Sequence, residues 1–362
     1  MRIVLRLCFL THLAIAPMLL PAQEAPPHPL YTVDVSQLVS KELDIVPTGT
    51  LTFLTEHTLA VSLCRNLRCY LETLDLEGDN PRTIARSDEF QNYSALFPFP
   101  DGRLILNQVQ IGGKRAAILL DSDLRAPVLI PKATGVRQPF ISTTGKTFVK
   151  QSPNNWVAYR MGRPSQRIRA GTGLVLSVSD EAVAYLDHGS VEIEGMDGKF
   201  LGSFTAPSSI VPIIRIVPMV RFLGNDRLWY ESGSHIGILD FNGKTLLTLD
   251  RPDGWGVRIG QSSDGNRLLF DRYTRHVPLT QGIEEVAIAA AIGDGPEQKP
   301  NGEMVRVIDT GSGKSCFEWN SGTNLLVLGD LHADIDPSGQ LVAIMTRTTL
   351  NVYKLPESCA LK

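Results

Sequence analysis

The sequence has no surplus of charge of either sign. Its 362 residues include 35 Lys and Arg against 38 Asp and Glu, which gives a formal net charge of -3. Proteins that bind DNA or RNA need a basic surface that neutralises phosphates. We therefore expect no nucleic-acid partner.

Long apolar runs are also scarce. The longest, residues 7–20, is shorter than the roughly 20 residues that span a bilayer, and Pro17 interrupts it. With 43% hydrophobic and 20% charged residues, the chain has the composition of a soluble globular protein with a full core. We expect no stable membrane insertion, and we expect a monomer.

The common signatures of catalysis are absent. The sequence contains no Gly-x-Ser-x-Gly elbow, no His-Glu-x-x-His zinc motif and no phosphate-binding glycine loop, and it has seven histidines in all. We therefore name no catalytic residue and no metal ligand, and we expect no cofactor.

The N-terminus resembles an export signal. Arg2 and Arg6 precede the apolar run, and small residues and prolines follow it. The sequence predicts a signal peptide at residues 1–22 and a proline-rich lead-in at residues 23–29, followed by one domain at residues 30–362. We expect the mature protein to be secreted or periplasmic.

Cysteines are few, and removal of the signal peptide leaves an even number of them. In an oxidising compartment the remaining four form candidate disulfides: Cys64, Cys69, Cys316 and Cys359. Cys64 and Cys69 flank a predicted hairpin loop, whereas Cys316 and Cys359 belong to consecutive structural units. Other pairings stay open, and a zinc site at Cys64 and Cys69 lacks further nearby ligands apart from His57.

A hairpin recurs along the chain. A polar turn between two apolar strands returns seven times, at residues 54–59, 99–104, 142–147, 178–183, 223–228, 262–267 and 336–341. Gly, Asn and Asp are frequent in these turns because they tolerate positive φ. A second set of hairpins follows at residues 74–78, 195–199, 239–243 and 308–313.

Two hairpins per unit make a four-stranded sheet, and no long helical periodicity is present. Self-similarity at this spacing predicts an all-β fold, a seven-bladed β-propeller of four-stranded antiparallel blades. The last unit supplies only three strands before the chain ends. We therefore expect an N-terminal strand, at residues 31–35 or 43–46, to close the last blade.

Several of these turns resemble a known superfamily. Residues 99–102, 263–265 and 332–339 are similar to the His and Asp-Gly turn pattern of WD-repeat-like propellers, over about residues 30–357. The Trp-Asp dipeptide of strict WD repeats is missing. Residues 309–319 also resemble a docking turn of quinoprotein propellers, and lactonase-like propellers share the architecture. The resemblance implies the fold alone, without a quinone cofactor.

Two irregular features are expected on the face of the propeller that carries the second-to-third strand loops. One is the loop between Cys64 and Cys69, which contains Arg65 and Arg68; the other is an insertion at about residues 277–302. Insertions of this length are often functional. Residues beside these features that suit anion or aromatic recognition are the candidates for binding: Arg65, Arg68, Trp255, Arg272, Tyr273, Arg275 and His276.

An alternating acidic segment near the C-terminus is the remaining candidate for chemistry. His332, Asp334 and Asp336 share one face of a predicted strand with Asp330. We interpret these residues as structural hydrogen-bonding groups, with Asp336 capping its own turn.

The sequence favours a binding or interaction module whose ligand is a protein, a small molecule or a glycan. The alternative is an extracellular hydrolase or lyase, of the lactonase-like kind, with a metal or an acid/base pair at the channel mouth. The fold by itself does not choose between these functions.

Overall fold

The structure is a computed structural model. It describes the following residues: 28–34, 51–65, 68–78, 80–88, 90–91, 95–98, 103–111, 114–125, 128–129, 140–142, 144–152, 155–160, 163–170, 173–205, 220–231, 235–250, 256–273, 304–320, 332–346 and 349–359. Every regular element within these ranges is a β-strand. The predicted export signal and the insertion at residues 277–302 lie outside them.

The strands form successive antiparallel meanders, which we number as blades in chain order. The strands of blade 1 are β2 (Leu51–Phe53), β3 (Thr58–Arg65), β4 (Arg68–Asp75) and β5 (Arg82–Arg86). After the short β6 (Phe90–Gln91), those of blade 2 are β7 (Ala95–Pro98), β8 (Leu104–Ile111), β9 (Lys114–Leu120) and β10 (Val128–Leu129). Strand β6 pairs with both β4 and β8, so blades 1 and 2 are hydrogen-bonded into one sheet, a feature that the sequence did not predict.

Blades 3 to 6 are separate four-stranded sheets. The strands of blade 3 are β11 (Phe140–Ile141), β12 (Thr147–Ser152), β13 (Asn155–Arg160) and β14 (Gln166–Ala170). Those of blade 4 are β15 (Leu174–Val178), β16 (Ala182–Asp187), β17 (Ser190–Gly195) and β18 (Phe200–Thr205). Those of blade 5 are β19 (Val220–Leu223), β20 (Arg227–Glu231), β21 (His235–Leu239) and β22 (Thr245–Asp250). Those of blade 6 are β23 (Gly256–Gln261), β24 (Arg267–Tyr273), β25 (Met304–Asp309) and β26 (Ser315–Asn320).

The last blade combines both ends of the described chain. It contains β27 (His332–Ile335), β28 (Leu341–Met345) and β29 (Thr349–Lys354), and its fourth strand is β1 (Tyr31–Asp34). Strand β1 runs antiparallel to β29. The predicted pairing of an N-terminal strand with the last blade is thus confirmed for residues 31–34, whereas the alternative donor at residues 43–46 lies outside the described ranges.

The apolar cores lie between neighbouring blades. Six clusters of buried side chains join blade 1 to 2, 3 to 4, 4 to 5, 5 to 6, 6 to 7, and 7 to 1. The cluster between blades 7 and 1 includes Val61 and Val352, both fully buried. Burial of each such side chain stabilises the fold by about 1.5–3 kcal/mol. The first strands contact one another between blades 1 and 2, 3 and 4, 4 and 5, 6 and 7, and 7 and 1, so they are the innermost strands of these blades.

Six of the seven recurring turns lie where the sequence predicted them, between the first and second strands of their blades, and residues 99–102 of the remaining turn lie outside the described ranges. Two of their glycines meet across the boundary between blades 5 and 6. A Cβ on Gly265, whose φ is +71°, would lie 2.5 Å from the backbone nitrogen of Gly224. Only glycine allows both this φ and this approach.

Five outermost strands contain a one-residue β-bulge just after they begin, in blades 1 and 3 to 6. A bulge redirects the side chain of the inserted residue. In blade 6 that residue is Cys316, which lies between the paired positions Ser315 and Phe317. Nothing in the sequence pattern predicted these bulges.

Candidate functional site

The two ends of the blades differ in what they carry. The turn face, as we define it, carries the first-to-second and third-to-fourth strand turns. The connection face carries the second-to-third strand turns and the connections from one blade to the next. The loop after Arg65 and the connection that leaves β24 at Tyr273 both begin at the connection face, as the sequence predicted.

On the turn face, hydrogen bonds link neighbouring blades. Asp180 of blade 4 accepts hydrogen bonds from the hydroxyls of Ser142 (2.7 Å) and Thr144 (2.6 Å) of blade 3. The backbone nitrogen of Asp180 in turn donates to the side-chain oxygen of Asn225 in blade 5, at 3.2 Å. The polar groups of these turns are therefore engaged in holding the blades together.

The same pattern continues through blades 5, 6 and 7. The Nη1 atom of Arg227 donates to the hydroxyl of Thr310 at 3.1 Å, and the backbone nitrogen of Ser263 donates to the carbonyl oxygen of Pro337 at 2.9 Å. Asp336 accepts hydrogen bonds from the backbone nitrogens of Leu341 and Ser338 within its own turn. This agrees with its interpretation as a turn cap.

A disulfide fastens the C-terminal segment to the turn face. Cys316 of β26 is bonded to Cys359, which follows the last strand, so this predicted pair is confirmed. The guanidinium of Arg267 contacts both sulfur atoms and donates to the carbonyl oxygens of Pro356 (3.0 Å) and Glu357 (2.9 Å). Sequence reasoning did not identify this role of Arg267.

The other cysteines lie at the connection face. Cys69 is buried and disulfide-bonded, and the residue opposite it in the β3–β4 ladder is Cys64. This register fits the pairing proposed from the hairpin. Arg65 and Arg68 are the next pair in the same ladder, so the structure brings their backbones together.

The structure describes two of the five remaining binding candidates. Arg272 and Tyr273 are the last two residues of β24, opposite Val257 and Gly256, rather than members of a loop tip. Trp255, Arg275 and His276 lie outside the described residues. Their grouping with the insertion stays a prediction.

Polar side chains connect the innermost strands. The backbone nitrogen of Phe53 in blade 1 donates to Oδ2 of Asp334 in blade 7 at 2.8 Å. Burial raises the pKa of Asp334 from 3.8 to about 6, against the lowering effect of hydrogen bonds from Phe53, Ile335 and Thr52; the charge of Asp336 raises it further. Asp334 thus takes part in a structural contact between two blades.

Arg221 is a polar residue of an innermost strand that was not among the residues predicted from the sequence. It lies on β19 in the apolar segment Val-Arg-Phe-Leu, and its side chain is exposed although the other three residues are buried. The one feature of the sequence that could have indicated Arg221 is its charge within a short apolar strand.

Within the described ranges, His, Cys, Asp and Glu form no group of three or more that would hold a metal ion. Those ranges also contain no helix that is long and apolar enough to cross a membrane.

Sequence comparison finds no matching protein-family model and no matching curated protein. Solved structures, in contrast, resemble this fold. Raptor from Chaetomium thermophilum has a TM-score of 0.52 and 12% identity, over 92% of this chain. The chain spans 29% of the length of that Raptor chain. An oligogalacturonate lyase in complex with manganese has a TM-score of 0.51 and 12% identity, over 92% of this chain and 99% of its own.

The chain has a β-propeller fold. The seven successive blades and the likeness to both solved structures agree on this architecture. Identity of 12% shows the fold alone, so neither protein's activity follows from the likeness.

Proposed function

We propose that this propeller is an extracytoplasmic binding module whose connection face contacts a protein, small-molecule or glycan partner. The observation that carries the proposal is the difference between the two faces. Hydrogen bonds between blades engage the turn face, for example between Asp180 and Thr144 and between Arg227 and Thr310. Polar groups that already satisfy one another have less to offer a partner.

The connection face has the irregular features that suit recognition. In blade 4 the second and third strands are joined by the tight turn at His188 and Gly189, both with positive φ. In blade 6 the equivalent connection comprises residues 274–303. Loops of this length on a rigid scaffold are often binding elements.

Cysteine chemistry and the N-terminal sequence support the proposed compartment. The Cys316–Cys359 disulfide suits an oxidising environment, and residues 1–22 have the pattern of an export signal. Secretion and periplasmic export both fit these features. N-terminal sequencing of the exported protein tests the compartment and the cleavage after residue 22 together.

A comparative pull-down tests the contact face. The mature protein is compared with a variant in which residues 280–300 are replaced by a short Gly-Ser linker, using the extracytoplasmic fraction of the source organism. A matched control replaces Lys199 and Lys244, both exposed on the turn face, with Glu. We expect the linker variant to lose a partner that the wild type and the control retain.

Equal recovery of partners by all three proteins contradicts this assignment of the contact face. Circular dichroism must show the same β-sheet spectrum for each variant, so that loss of the partner is not loss of the fold. A separate incubation with oligogalacturonate and Mn²⁺ tests the enzymatic alternative. Formation of a shorter product would replace the binding-module proposal with a lyase.

A further inference from the structure

Arg221 is an exposed cation on the innermost strand of blade 5. In β19 it alternates with the buried residues Val220 and Phe222, which pack in the core between blades 4 and 5. Strand β19 contacts β15, the first strand of blade 4. Arg221 is on the opposite face of β19, together with Leu223, which packs in the core between blades 5 and 6.

The backbone beside Arg221 is fixed from both sides. The backbone nitrogen of Phe222 donates to the hydroxyl of Ser177 in blade 4 at 3.0 Å, and its carbonyl oxygen accepts from Nε2 of Gln261 in blade 6 at 2.9 Å. Two neighbouring blades therefore hold the strand that carries the guanidinium. A binding group on a rigid strand loses little conformational entropy when a ligand arrives.

The charge of Arg221 has no counterion in the part of the chain that the structure describes. Surrounding protein lowers the pKa of Arg221 through desolvation, and no carboxylate acts against this shift. Other arginines differ: Arg82 pairs with Asp75 at 2.8 Å, and Arg306 pairs with Glu318 at 2.7 Å. A partly desolvated cation without a carboxylate is stabilised by an anion from solution.

We propose that Arg221 binds the carboxylate or phosphate group of a small ligand beside the innermost strand of blade 5. The planar guanidinium presents paired N–H donors that match both kinds of oxyanion. This proposal rests on residues other than those of the proposed partner-contacting connection at residues 274–303 and does not depend on it. Either proposal can therefore fail without the other.

Thermal shift and isothermal titration with two probes test this site. Inorganic phosphate represents the phosphate ligand and citrate represents the carboxylate ligand, both at constant ionic strength. The proteins are the full mature chain and the variants R221Q, R221K and R167Q. Arg167 is the matched control because it is an exposed arginine on the outermost strand of blade 3.

We expect at least one probe to raise the melting temperature of the wild type and to bind it with a saturable isotherm. R221Q should bind that probe about 10-fold more weakly or worse, since it loses both the charge and the paired donors. R221K should be intermediate, and R167Q should equal the wild type. The probe that binds identifies the oxyanion class. If R221Q does not fold, R221K carries the test, since it keeps the charge but loses the paired donors.

Two results would overturn the proposal. One is the absence of saturable binding of either probe to the wild type. The other is equal affinity in the wild type, R221Q and R221K, which would show that any bound anion is held elsewhere.

Discussion

The contact between Asp334 and blade 1 should make the stability of the propeller depend on pH. Asp334 accepts a 2.8 Å hydrogen bond from the backbone nitrogen of Phe53, and burial raises the pKa of its carboxyl group from 3.8 to about 6. The folded state therefore holds this proton more tightly than the unfolded state. A difference of about two pKa units corresponds to about 3 kcal/mol at most.

The sign of the effect follows from the raised pKa. The contribution of Asp334 is fully favourable below about pH 4, decreases as the pH rises through about 6, and stays low above it. In D334N the side-chain oxygen still accepts from Phe53, but no proton is lost. The free energy of unfolding of D334N relative to the wild type should therefore rise between about pH 4 and pH 7, by up to about 3 kcal/mol.

Urea unfolding of both proteins at half-unit steps between about pH 3.5 and 7.5 measures this difference. Subtracting the free energy of unfolding of the wild type from that of D334N removes the titrations that both proteins share. These include Glu72, whose pKa is raised by burial. They also include Asp75, whose pKa is lowered by hydrogen bonds from the backbone of Glu77 and from Arg82. The pKa of Asp334 is 3.8 when unfolded and about 6 when folded, so the rise should be half complete at about pH 5 and should level off above about pH 6. A difference that is flat or that falls with increasing pH would refute the reasoning.

Three further predictions concern single contacts. Replacing Cys316 and Cys359 with Ser should lower the free energy of unfolding by about 2–4 kcal/mol in urea, because the unfolded chain gains freedom; an unchanged midpoint would contradict this. Arg267→Ala should speed reduction of that disulfide by dithiothreitol, since the guanidinium contacts both sulfur atoms; equal rates of thiol release would be evidence against shielding. Gly237→Ala places a Cβ against the ring of Tyr230, closer than van der Waals contact allows, and should cost about 1–3 kcal/mol; this loss should vanish in the background of Tyr230→Ala.

The sequence predicted the architecture well because turn chemistry is local. A turn such as residues 262–267 requires Gly or Asp at fixed positions, and the apolar strands on either side define its place in the blade. The pairing of residues 31–34 with the last blade was predictable for a topological reason. A last unit with three strands needs a fourth from elsewhere in the chain.

The site was harder to predict because it depends on distant contacts. Arg267 and Arg221 look alike in sequence, yet Arg267 contacts a disulfide and two carbonyl oxygens, while Arg221 is exposed on the first strand of blade 5. Nothing local distinguishes them. The bulge that redirects Cys316 is likewise a property of strand pairing, which local sequence does not encode.

Lysine reactivity is the most direct measurement of the claim that partners contact the connection face. Lys114 is the first residue of β9 and therefore lies at the connection face. Lys299 belongs to the insertion in the proposed contact segment. Exposed lysines on the turn face include Lys146, Lys199 and Lys244. Acetylation of the free protein and of its partner complex, read by mass spectrometry, compares the two sets in one experiment. We predict protection of Lys114 or Lys299 with unchanged modification of the three turn-face lysines. Protection confined to those three lysines would contradict the account.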